Sequence, residues 1–223
     1  MAYGLFGKLP QKRDFVALGI PNSVLHPFET WLQSAVAASR NELGGDWEEL
    51  FLVAPIWRFW LGQEILGQVC AGALMPSVDK VGRFFPLAIM HVTAPGQEGV
   101  PPVFSPLDEW YAEIESRLLS VLAEGAEMEI ASLTAGLAEP VAQPAPPGPL
   151  GETFKGGIIW TGEAGSAPGD LVRSLLEADY WRAAAGRSFW WTGGGSGGRP
   201  AAHVRPGLPD PYFFTRMLKA EVN

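Results

Sequence analysis

The chain has 223 residues, 47% hydrophobic and 11% aromatic, with 16 Lys+Arg against 24 Asp+Glu for a net charge of −8. That apolar content suffices for a packed core, and the negative balance argues against the clustered positive charge that a nucleic-acid or anionic-membrane surface needs. The single cysteine, Cys70, excludes an internal disulfide, and the separated histidines His26, His91 and His203 offer no short-range metal-ligand spacing.

The segment MAYGLFGKLPQKRDF reads as an opening loop, in which Lys8 precedes any apolar run long enough for a signal-peptide core. No uninterrupted apolar stretch approaches the ~20 residues that cross a bilayer, so a cytoplasmic location is expected. Val24, Leu25, Phe28, Trp31, Leu32, Ala35 and Val36 recur at helical spacing and stop at Gly44-Gly45. Asp46 with Glu49 has the spacing of a capping box for a short helix through Phe51. Three short apolar segments follow, VAPIWRFWL (53–61), GQVCAGALM (67–75) and FFPLAIMHV (84–92). Their connections are too short for helical crossovers, which predicts antiparallel neighbours.

Ser105-Pro106, with Asp108, predicts a helix start, and Leu107, Trp110, Tyr111, Ile114, Leu118, Val121 and Leu122 form its apolar stripe. A weaker helix is expected over 127–137. The Pro-rich segment 139–151, EPVAQPAPPGPLG, reads as an extended surface connection. Beyond it, GGIIWTG (156–162) and SFWWTGG (188–194) read as strands, with helical sequence at 170–186 between them, then a strand AAHV and a last helix from Asp210-Pro211. These elements predict a single α/β domain over residues 1–223. Its mixed β-sheet is covered by helices on both faces, with an antiparallel strand set in the N-terminal half.

Two motifs suggest chemistry. Ser77 and Lys80 match the Ser-x-x-Lys spacing of some acyl-transfer enzymes. There the serine opens a helix, whereas Gly82 and Pro86 interrupt any helix here. An acyl-transfer or hydrolytic enzyme using Ser77 and Lys80 is therefore the alternative reading. GGGSGG (193–198) has the G-x-G-x-x-G spacing, but strand-like residues follow it where a dinucleotide fingerprint needs a helix. No cofactor is expected.

The remaining constellation is a pair of loops. Lys8, Lys12, Arg13 and Asp14 crowd the first; Ser77, Asp79, Lys80 and Arg83 crowd the second, PSVDKVGRFFP (76–86). Ser77 and Asp79 can accept backbone N–H groups in a turn, Gly82 can take a positive φ, and Arg83 can pair with Asp79. Lys8, Arg13, Asp14, Ser77, Asp79 and Arg83 are the candidate partner-binding residues; an ordinary solvated surface is the alternative.

In order along the chain, GLFGKLPQKRDFV, LGIPNS, APIWRFWL and GALMPSVDKVGRFFPL resemble the TagF family (also called ImpM) of bacterial type VI secretion. The resemblance is dense over residues 4–92 and looser beyond. One departure is Arg13-Asp14-Phe15, where the family usually reads Gly-Asp-Phe. The resemblance implies an αβα sandwich and a non-enzymatic, cytoplasmic repressor of the secretion machine. It also implies a partner, a scaffold protein carrying a forkhead-associated domain, a module that commonly reads phosphothreonine. The sequence ranks neither Thr93, Thr153 nor any other threonine for that role.

Overall fold

The apolar segments pair edge to edge. In the computed structural model, which describes residues 2–123, 129–140, 150–195 and 198–219, nine strands form: β1 (Ala2–Gly7), β2 (Val16–Leu18), β3 (Trp57–Leu61), β4 (Cys70–Met75), β5 (Leu87–Val92), β6 (Leu150–Phe154), β7 (Gly157–Thr161), β8 (Arg187–Thr192) and β9 (Ala201–Pro206). Seven of them make one sheet in the order β2-β1-β5-β4-β3-β8-β9, and β6 and β7 form a separate hairpin. A mixed sheet was expected, with antiparallel strands in its N-terminal half; antiparallel pairing instead runs through all its ladders. The N-terminal segment, expected to be a loop, supplies β1 and so pairs along the whole of β5, from Ala2 opposite Val92 to Gly7 opposite Leu87.

Helices are α1 (Asn22–Leu43), α2 (Trp47–Val53), α3 (Gln63–Leu66), α4 (Asp108–Ala123), α5 (Pro168–Ala184) and α6 (Phe213–Lys219). Because side chains alternate across a strand, each inner strand feeds two cores. On one face Phe6, Trp57, Phe59, Leu74, Met90 and Trp190 pack against α1, α2 and α6 through residues such as Phe28, Leu32, Phe51 and Phe214. On the other, Leu5, Ala73, Met75, Leu87 and Ile89 pack against Ile114, Leu118 and Val121 of α4, while Trp60, Ala71 and Phe189 meet Ala184 at the end of α5. The αβα layering follows from this two-sided burial, each large side chain contributing roughly 1.5–3 kcal/mol of transfer free energy. The tryptophans at 57, 60 and 190 are core residues.

Several local expectations change. Asp46 makes no side-chain cap, because the chain turns from α1 through a 3-10 turn at Gly44–Asp46 into α2 with Asp46 already in helical geometry. The helix expected from Ser105 opens at Asp108 instead, after Leu107 takes a left-handed φ of 51°. Ser105 is held in a preceding turn, its N–H donating to the Pro101 carbonyl. Within the weaker helix expected over 127–137, the described residues form one 3-10 turn, Ile130–Leu133. The middle of the Pro-rich connection, 141–149, lies outside the described residues, and its end belongs to β6. GGGSGG connects β8 to β9 as a hairpin loop; its residues 196 and 197 are outside the described set.

Candidate functional site

The first loop leaves the end of β1, and the second joins β4 to β5, the strand that pairs with β1. Strand order therefore places the two loops together at one end of the sheet. The loops are directly joined: the Lys80 N–H donates to the Lys12 carbonyl at 3.0 Å, and the Arg83 guanidinium donates to the Arg13 carbonyl. The second loop closes on itself through the Val78–Phe84 bridge, the Asp79 N–H to Arg83 carbonyl bond and the Gly82 N–H to Asp79 carbonyl bond, both 3.0 Å. Gly82 has φ 83°, a left-handed turn position where a side chain would be strained.

Asp79 is the centre of this structure. Its side chain is fully buried. Oδ2 accepts the Lys8 ammonium and Arg83 Nε, each at 2.7 Å, and Oδ1 accepts the N–H groups of Val81 at 3.0 Å and Arg83 at 2.9 Å. Burial alone would push the Asp79 carboxyl up. The hydrogen bonds from Lys8, from the Arg83 backbone and side chain and from Val81 outweigh it and hold the carboxyl well below its ordinary range. Lys8 is itself 5% exposed, with its ammonium 5.1 Å from the centre of the Phe15 ring. Phe15 in turn meets Phe85 edge-on at 4.8 Å. An ion pair, an aromatic contact and backbone bonds thus pin one loop to the other.

The six candidate residues separate into two groups. Lys8, Ser77 and Asp79 are buried, at 3–5% exposure, beneath the loop surface. Arg13, Asp14 and Arg83 are exposed, and so are Lys12 and Lys80 of the same two loops. The Ser77 hydroxyl, expected to accept a turn N–H, has no hydrogen-bond partner. No base therefore contacts it, and Lys80 points its side chain to solvent. Thr93 is also buried, its hydroxyl accepting the Val69 N–H at 3.2 Å. The one local signal that marked Asp79 was its turn position; nothing local showed that Lys8, 71 residues away, would be its partner.

Elsewhere, His26, His91 and His203 lie on α1, β5 and β9, and among the described residues no three His, Cys, Asp or Glu side chains converge as metal ligands. Burial pushes the Cys70 thiol up to about 12, which makes it inert near neutral pH. No helix among the described residues is long and apolar enough to cross a membrane.

An antiparallel αβα sandwich that presents a charged loop pair, locked from beneath by a buried ion pair, is the class these observations define. The model of the TagF N-terminal domain, described as type VI secretion system-associated, matches residues 4–139. The chain belongs to this type VI secretion-associated family, and both loops lie within the matched region. Among solved structures, the chain is similar to PA0076 from Pseudomonas aeruginosa PAO1, determined by crystallography at 2.05 Å resolution. The two are 31% identical, with a TM-score of 0.79, and the alignment covers 99% of this chain and 96% of that one. No curated protein matches the chain.

Proposed function

We propose that this protein represses a bacterial type VI secretion system by binding a forkhead-associated-domain scaffold protein in the cytoplasm, and that it acts without catalysis. Family membership supports the secretion context. The observation that carries the binding reading is the loop pair, in which the buried Asp79 carboxylate fixes both loops while Lys12, Arg13, Lys80 and Arg83 remain at the surface. A preordered surface of this kind loses little conformational entropy on association. Repression then requires only that the scaffold be depleted or held in an inactive state by differential binding. The burial of Thr93 removes it as an accessible phosphothreonine, so the reading places contact on the loops rather than on that residue.

Titrating the purified chain into the host's scaffold protein by calorimetry, and measuring secreted substrate while the chain is overproduced, tests both halves of this reading. Saturable binding together with reduced secretion is the expected result; absence of either overturns it. Ser77→Ala keeps both properties if no covalent chemistry is involved. Loss of repression in a folded Ser77→Ala protein, together with labelling of wild-type Ser77 by a fluorophosphonate, would favour the enzyme instead.

A further inference from the structure

The charge on the loop pair runs against the charge on the chain. The two segments, 8–15 and 76–86, hold five cations (Lys8, Lys12, Arg13, Lys80 and Arg83) and two carboxylates (Asp14 and Asp79), inside a protein of net charge −8. Asp79 contributes nothing outward: its side chain is fully buried and its oxygens are occupied by Lys8, Arg83 and two backbone N–H groups. Asp14 is then the single exposed carboxylate beside four exposed cations. The Lys80 N–H to Lys12 carbonyl bond and the Arg83 guanidinium to Arg13 carbonyl bond hold the two loops, and with them these cations, together.

Apolar surface accompanies them. Val81 at the tip of the second loop is 54% exposed, and Phe15 in the first is 46% exposed. On the far side of the second loop, Phe84 packs against Trp47 and Phe51 of α2 at 5.7 and 5.8 Å. The exposed residues of that helix include Glu48 and Glu49, so carboxylates flank the loop cations on the α2 side.

We infer that the loop pair receives an acidic segment of the protein partner, carboxylates meeting Lys12, Arg13, Lys80 and Arg83 and an apolar side chain resting on Val81 and Phe15. This inference rests on the reading of the loops as the binding surface and adds the chemistry of their occupant. Complementary charge of this kind sets association rate and partner choice more than it sets total affinity.

The test uses the full-length chain and a Lys12→Glu/Lys80→Glu variant. The two lysine side chains are exposed and the bond between the loops uses backbone atoms, so the variant keeps its melting temperature, which a thermal scan verifies. Against the scaffold protein, the variant is expected to bind at least about tenfold more weakly, and wild-type affinity is expected to fall steeply between about 50 and about 300 mM salt. Scaffold binding that ignores both changes overturns the acidic-segment inference while leaving the regulatory reading intact. A second arm does not depend on the scaffold. A synthetic peptide alternating Glu with Leu is titrated into the chain and monitored by amide shifts, with the matching Lys-Leu peptide as control. Selective binding of the Glu peptide, shifting loop amides in wild type and lost in the variant, supports the inference even if the scaffold does not bind. Binding of neither peptide, or of both equally, overturns it.

Discussion

At Asp79 one carboxylate accepts four donors, and the folded protein depends on that occupancy in two measurable ways. Asp79→Asn keeps the shape but leaves Lys8 buried against a neutral amide. Removing one member of a buried pair costs about 3–5 kcal/mol, so urea midpoints should fall by the equivalent of at least ~3 kcal/mol. The second consequence is pH dependence. The native Asp79 carboxyl is lowered relative to an unfolded value of about 3.9, so the unfolded chain binds more protons as the solution is acidified. Its stabilisation is therefore complete above about pH 4 and is lost as pH falls toward the lowered native value. Denaturant titrations across that interval should show a shallower acid limb for Asp79→Asn than for wild type. Ser77, three-dimensionally close but chemically unlike, predicts the opposite. Its buried hydroxyl has no partner, and Ser77→Ala should be neutral or stabilising by up to about 1 kcal/mol in the same assay. The polar character of the two loops was legible residue by residue. Which residues point inward was not, because Lys8 and Asp79 meet only across two strands that are distant in sequence.

Among the elements, the central strands owe their pairing to small residues and their attachment to α4 to a charged one. Gly72 on β4 lies so near β5 that an added Cβ would overlap the Ile89 carbonyl and sit 2.8 Å from the Met90 Cα. Gly72→Ala must push two paired backbones apart, and the expected loss, about 3 kcal/mol or more, is readable from thermal unfolding. Arg58 on β3 reaches α4, donating through Nε at 2.7 Å and a terminal nitrogen at 3.1 Å to the two oxygens of Glu115. It also donates to Asp108 at 2.9 Å, at the first residue of the helix. Apolar patterning located α1, α4, α5 and most of the strands, most plainly α1 and α4, whose apolar faces pack into the core. It missed β1, whose Gly4 and Gly7 and the following Lys8 look loop-like. Both glycines are there for contact: a side chain at Gly7 would strike the Pro86 backbone, and one at Gly4 would strike Ile20. The capping box at Asp46 failed for a different reason, since a cap needs an extended residue and the chain arrives there still helical.

Across the whole molecule, cohesion is uneven. β4 and β5 are buried at every residue, whereas β7 and its surroundings are largely exposed, with Ile159, Val172 and Leu176 open to solvent. Amide hydrogen exchange should therefore be slowest in β4 and β5, approaching global unfolding, and fastest in the β6–β7 hairpin through local opening; equal protection would contradict this layering. The loop pair hangs from the protected end of that gradient, on β1, β4 and β5, which suits a surface that must keep its shape while it binds. The amino-acid order alone determined most of the larger elements, the antiparallel neighbours β3, β4 and β5, the class of fold and, through ordered motifs, the secretion family, because all of these reside in local periodicity and contiguous residues. Only the tertiary structure decided that β1 joins the sheet, that Asp79 closes over Lys8, and that four cations remain outside. Burial and pairing between residues some 70 positions apart are properties of strand order, and no local pattern encodes them.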